Sequence, residues 1–98
     1  MVKRFMVYEV QVDDVQKACV VVSPDELNNV LPYVMVAPIT SKIRHLPYRV
    51  LIEMKGRDAQ IALDQIRTRP KSDFLRKLGR LPEGCQAEIT NVLRQMFD

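Results

Sequence analysis

Apolar residues fall into short runs along this chain, and each run is broken by Pro, Gly, Asp or Asn. The runs RFMVYEV, ACVVVS, YVMVA, YRVLIEM and QIALDQI are rich in Val, Ile, Tyr and Phe, so they read as strands. The fourth alternates: Tyr48, Val50, Ile52 and Met54 share one face, while Arg49 and Glu53 lie on the other, as in a half-buried antiparallel strand. KGRD after it reads as a turn. Between the second and third runs, SPDELNN places Pro24, Asp25 and Glu26 where the first turn of a short helix would lie, one or two turns long. From Pro82 the period lengthens. Cys85, Ile89, Val92, Leu93, Met96 and Phe97 sit at offsets of 0, 4, 7, 8, 11 and 12, the stripe of an amphipathic helix. Short strands and then a helix, with no strand–helix alternation, predict a mainly β fold: a small, strongly bent antiparallel sheet or open barrel.

A chain of 98 residues suggests a single domain over residues 1–98, with one compact core and one site. No run approaches the roughly 18 apolar residues of a membrane span, and MVKRFMVYEVQVDD lacks a signal-peptide core, so no membrane association and a cytoplasmic location are expected. Cys19 and Cys85 belong to no CxxC pair and His45 is the single histidine, which leaves too few strong ligands for a zinc site; the thiols are expected free and mostly buried. The net charge of +3 is unevenly spread. Residues 42–80 hold eleven Lys and Arg against Glu53, Asp58, Asp64 and Asp73, or +7, whereas residues 1–41 and 82–98 each come to −2. A polyanion would be drawn to the middle of the chain.

That middle segment includes most of VMVAPITSKIRHLPYRV, in which a strand breaks at Pro38 and Thr40 and Ser41 precede Lys42, Arg44 and His45. Most catalytic arrangements are excluded: Gly56, Gly79 and Gly84 form no phosphate-binding loop, there is no nucleophile elbow, and one histidine cannot run a two-histidine acid–base mechanism. Hydroxyls beside cations are suited to holding a phosphodiester and stabilising the charge that builds on it. RNA carries its own nucleophile, the 2′-hydroxyl, so a protein can cleave it by positioning the phosphate and moving protons. The same two hydroxyls also fit a strand-end turn in which they bond local backbone.

Five ordered motifs bear on the choice. CVVVSPDELNN (Cys19 to Asn29), VAPITSK (Val36 to Lys42), LPYRV (Leu46 to Val50), LDQIRT (Leu63 to Thr68) and KLGRL (Lys77 to Leu81) resemble successive motifs of the MazF/PemK toxin family, within the CcdB/MazF-like superfamily, in order and spacing. The resemblance implies an SH3-like barrel of about five to seven antiparallel strands with a carboxy-terminal helix. It further implies a homodimer, a sequence-specific endoribonuclease on single-stranded RNA that needs no metal or other cofactor, and a cognate antitoxin that blocks the RNA groove. In that family a Thr after the third strand faces an Arg at the start of the second, across the scissile phosphate; the Thr corresponds to Thr40. The Arg-Pro pair is replaced by Lys17 and Ala18, the Gly-Asp near the first strand by RFMV, and the long first loop by QVDDVQ.

On this resemblance the site residues are Lys17, which binds or protonates the phosphate, Thr40 and Ser41, which orient it, and Arg44, His45, Arg49, Arg67 and Arg69 along the RNA groove. Gln65 is assigned to holding the barrel together. Lysine supplies a compact charge where arginine supplies a planar fork, so the exchange at position 17 is not conservative at a phosphate site. The shortened first loop and KRFMVYEV also resemble CcdB, whose target is DNA gyrase, although this chain ends QMFD and has no Trp. A gyrase inhibitor, or a toxin that only binds antitoxin, is therefore the alternative.

Overall fold

The computed structural model describes residues 2–98. Strand β1 (Met6–Val12) turns at Asp13 and Asp14 into β2 (Val15–Val21), and a one-turn helix α1 (Asp25–Asn28) leads to β3 (Tyr33–Thr40). A loop over residues 41–48 then reaches β4 (Arg49–Met54), which is followed by β5 (Arg57–Ala62), β6 (Arg67–Pro70), β7 (Phe74–Arg80) and helix α2 (Glu83–Met96). All pairings are antiparallel, and the strand order is β4-β5-β3-β2-β1-β7, with β6 added to β3. The result is a strongly curled half-barrel carrying a helix, as the periodicity and the resemblance both predict.

Strand β3 is the hub, because one strand serves two sheets. Its first half, Tyr33 to Val36, pairs with β6, Val36 to Pro38 pair with β2, and Ile39 and Thr40 pair with Ile61 and Gln60 of β5. Pro38 has no N–H for a ladder, and the chain changes partners one residue later.

The curl buries both faces of the central strands, and this explains why CVVV is continuously apolar rather than alternating. Val20 and Val22 join Val7, Val50, Ile52, Ile61, Leu63 and Ile89 in a core beneath α2, whereas Cys19 and Val21 join Tyr8, Val10, Val12, Val34 and Val36 on the opposite side. There Tyr8 meets Phe74 edge to face, with ring centroids 5.2 Å apart. Ile89 is the fully buried residue of the helix stripe, with Cys85, Val92, Leu93 and Met96 half-buried around it.

Several local expectations are corrected. QIALDQI is strand only to Ala62; Leu63–Gln65 form a 3-10 turn. Tyr48 is exposed and sits outside β4 with φ of 65°, so the buried face starts at Val50. Phe97 lies beyond the last turn of α2 and is 76% exposed, so the apolar stripe ends at Met96. The turn in KGRD is sharp: Lys55 and Gly56 both have positive φ, 53° and 78°, the twist that joins β4 to β5 through two residues. The thiols of Cys19, buried, and Cys85, half-buried, are free.

SPDELNN is organised by one amide. Asn28, 1% exposed, donates to the Ser23 carbonyl (2.9 Å) and to Asp25 Oδ1 (3.1 Å), and its own oxygen accepts from the Ser23 hydroxyl (2.5 Å). Ser23 Oγ in turn accepts from Met35 N–H (3.1 Å), and Lys71 Nζ donates to the Asn28 carbonyl. A helix too short to be stable alone is thereby tied to β3 and to the turn before β7.

Candidate functional site

The β2–β3 register pairs Val21 with Val36, Val20 with Ala37 and Cys19 with Pro38. The ladder ends there; two residues beyond it on each strand come Lys17 and Thr40, which line one cleft. The cleft, of about 630 Å³, is lined by Lys17, Thr40, Ser41, Lys42, Arg44 and Arg49, with Pro38, Asp64 and Gln65 among the other residues of its wall. Residues far apart in sequence are thus gathered by one strand crossing: the cation from β2, the hydroxyls from the end of β3, and further cations from the loop.

Thr40 Oγ1 accepts from the N–H of Lys42 at 3.1 Å, the local turn bond allowed by the sequence. The two readings of Thr40 are compatible. The turn uses the oxygen as an acceptor, and the hydroxyl hydrogen remains to be donated to an anion in the cleft.

The cations differ in how far they are already engaged. Arg49 is held on all sides: Nε and Nη2 donate to Asp64 at 2.6 and 3.1 Å, Nη1 reaches Gln60 Oε1 at 3.4 Å, and the side chain is 5% exposed. The same guanidinium holds the Asp64 carboxyl below the usual carboxylate range. Arg49 therefore forms part of the wall of the cleft, with three of its five N–H donors already committed within the protein. Arg69 is also engaged, donating to Asp73 and, at 3.3 Å, to the Gln11 carbonyl, and it lies outside the cleft. Arg67 is 49% exposed, with Asp13 3.7 Å away, and borders a smaller depression that shares Lys17, Pro38 and Gln65 with the cleft. His45 is exposed on the loop and does not line the cleft. Lys17, Lys42 and Arg44 are the exposed cations that line it.

Two glutamines exchange the expected roles. Gln65 is exposed and lines the cleft, so it does not brace the barrel. The glutamine that does brace structure is Gln60, buried at 7% exposure within β5. Its Oε1 accepts from the N–H of Arg44 (3.1 Å) and its Nε2 donates to the carbonyl of Arg44 (3.0 Å). Periodicity assigns Gln60 only to a strand; the fold of the loop over it is a tertiary event with no local signal.

Among the described residues, no group of three or more His, Cys, Asp or Glu side chains converges as a metal site would require, and no helix is long and apolar enough to cross a membrane.

Residues 3–97 match the family model described as PemK-like, MazF-like toxin of type II toxin-antitoxin system. Solved structures of similar fold include a Mycobacterium tuberculosis toxin, MazF-mt6, at 22% identity with a TM-score of 0.83, covering 95% of this chain and 96% of that one. An endoribonuclease in complex with its cognate antitoxin, from a mycobacterial species, matches at 21% identity with a TM-score of 0.88, covering 97% and 93%. MazF from Deinococcus radiodurans matches at 18% identity with a TM-score of 0.82, covering 98% and 96%.

Proposed function

This chain belongs to the PemK-like, MazF-like family of type II toxins, and from that membership, together with its cleft, we propose that it is an endoribonuclease of single-stranded RNA. The observation that carries the proposal is that Lys17, from beyond the end of the β2–β3 ladder, and the Thr40 and Ser41 hydroxyls line one cleft together with Lys42 and Arg44.

A phosphodiester seated there meets the Lys17 ammonium on one side and the Thr40 and Ser41 hydroxyls on the other. As the RNA 2′-hydroxyl gives up its proton to solvent and its oxygen attacks phosphorus, negative charge grows on the non-bridging oxygens. Groups already aimed at them stabilise it without reorganising, the largest source of rate in many enzymes. The bond from phosphorus to the 5′-oxygen then breaks, and the 5′-oxygen takes a proton, for which Lys17 is the nearest donor in this reading. The products are a 2′,3′-cyclic phosphate and a 5′-hydroxyl. Arg44 and Arg67 are exposed enough to bind flanking phosphates, while Arg49 acts by holding Asp64 and the cleft wall. A single-stranded substrate fits because a phosphate inside the cleft needs a flexible backbone. The reading also carries action in the cytoplasm, a homodimer as the working assembly, and a cognate antitoxin that occupies the same cleft.

The test is direct. Purified protein in EDTA should cut single-stranded RNA to products ending in a 2′,3′-cyclic phosphate or its opened form, leave duplex RNA whole, and not affect gyrase supercoiling. Intact RNA with stalled gyrase would replace this reading with the gyrase one; intact RNA with antitoxin binding would leave only a binding role.

A further inference from the structure

Loop 41–48 is exposed along its whole length, including Ile43, Leu46 and Tyr48, and yet it is anchored. At one end the Lys42 N–H bonds Thr40 Oγ1; at the other the Leu63 N–H bonds the Tyr48 carbonyl at 3.1 Å. In the middle, Arg44 has no strand beside it, but both of its backbone polar groups are satisfied by the side chain of Gln60, 16 residues away in sequence. A primary amide presents one donor and one acceptor side by side, as a neighbouring strand would, so a single side chain stands in for one rung of a ladder.

Gln60 is also placed to transmit that hold. It pairs in register with Thr40 on one side and Leu51 on the other, so the three project from one face of the sheet, the face over which the loop lies. Its Oε1 serves Arg44 N–H and Arg49 Nη1 at once, joining the loop to the guanidinium that holds Asp64. One buried side chain thereby spans the hydroxyl strand, the Arg44 backbone of the loop and the Arg49 cation of the wall.

We propose that Gln60 is a positioning residue for RNA binding: its two-point grip on the Arg44 backbone fixes the height of the Arg44 guanidinium over the cleft. The proposal rests on the endoribonuclease reading above. The Arg44 side chain could reach a phosphate from many loop conformations, but ordering it on binding costs affinity, and a loop held in place beforehand avoids that cost.

Three variants test it: Gln60→Leu, which keeps the approximate size and removes both bonds; Gln60→Glu, which keeps the acceptor but sets an oxygen against the Arg44 carbonyl; and Arg44→Ala, alone and combined with each. Hydrogen exchange of the unliganded protein should show the Arg44 amide exchanging faster in Gln60→Leu. Steady-state cleavage of a single-stranded RNA should show KM raised about tenfold in Gln60→Leu with kcat within about threefold, and a smaller rise in Gln60→Glu. In the Arg44→Ala background either change at position 60 should add less than about twofold, because the group it positions is gone. A general loss of structure would multiply through that background instead. If Gln60→Leu does not fold, Gln60→Glu carries the same comparison. An unchanged KM, or effects that combine in full with Arg44→Ala, overturns the role of Gln60 and leaves the endoribonuclease reading standing. A wild-type chain that neither binds nor cuts RNA overturns that reading and this role with it.

Discussion

Two buried amides bracket the ends of β3, and they do different work. Asn28 lies before the strand, shares its bonds with Ser23, Asp25 and Lys71, and serves only to fasten α1 to the sheet. Gln60 lies beside the end of the strand and spends its bonds on a loop whose side chains face solvent and a cleft. Both satisfy backbone that no ladder reaches, since a buried polar group without a partner costs about 1–3 kcal/mol. The difference is in what each holds: at Asn28 the fastened element is part of the scaffold, and at Gln60 it carries Arg44. Burial alone therefore does not distinguish the two amides; what each of them holds does.

The comparison breaks most visibly at Asn28. Asn28→Ala removes the partners of the Ser23 hydroxyl and carbonyl, and unfolding should become easier by about 2–3 kcal/mol in chemical denaturation. The cleavage rate per folded molecule should not change. A loss of rate without a loss of stability would make Asn28 part of the cleft and erase the contrast.

A smaller effect sharpens the cleft side. The Asp64 carboxyl is held below its usual range chiefly by its hydrogen bonds from Arg49. A carboxyl depressed in the fold contributes stability that is fully present above its unfolded value, about 4, and is lost as pH falls through the folded value. Thermal melts from pH 7 to pH 2 should therefore show an acid-dependent decline that Arg49→Met reduces. An identical decline in Arg49→Met would mean that the pair adds nothing to stability.

The smallest effect separates exposed cations from engaged ones. Arg67→Ala should weaken binding of an uncleavable single-stranded oligonucleotide by a few-fold and lower the slope of log affinity against log salt by about 0.7, the loss of one phosphate contact. Arg69→Ala, with its guanidinium already given to Asp73 and Gln11, should leave that slope unchanged. Equal slopes for the two variants would show that engagement in the free protein does not decide which cations meet RNA.

Much of the fold was legible because its signals are local. The apolar runs marked β1 to β5, and the switch to a helical period at Pro82 located α2 to within a residue of its start at Glu83. Strands β6 and β7 were not read as strands: RTRP and FLRKLGR are cation-rich, and most of their side chains lie in solvent, so neither period shows. Their pairing with β3 and β1 supplies what their sequence does not. The hydroxyl–cation stretch was visible as a candidate, and the family motifs pointed to Lys17 and Thr40. That these two line one cleft depends on strand register, and that Arg49 and Arg69 are already engaged depends on Asp64 and Asp73 arriving from elsewhere in the fold. Gln60 gave no sign at all, because its partner is the backbone of a loop 16 residues away.

The central claim is that Lys17 and Thr40 act on one phosphate, and single-turnover cleavage of a short single-stranded RNA by the wild type, Lys17→Ala, Thr40→Ala and the double variant tests it most directly. Lys17→Ala should slow cleavage by about 30- to 1,000-fold, equivalent to roughly 2–4 kcal/mol of transition-state stabilisation, with the fold intact by circular dichroism. Thr40→Ala should slow it less, and the double variant should be slowed by less than the product of the two, as expected of groups that share a substrate atom. Cleavage at the wild-type rate in both single variants would contradict the account and move the chemistry away from this cleft.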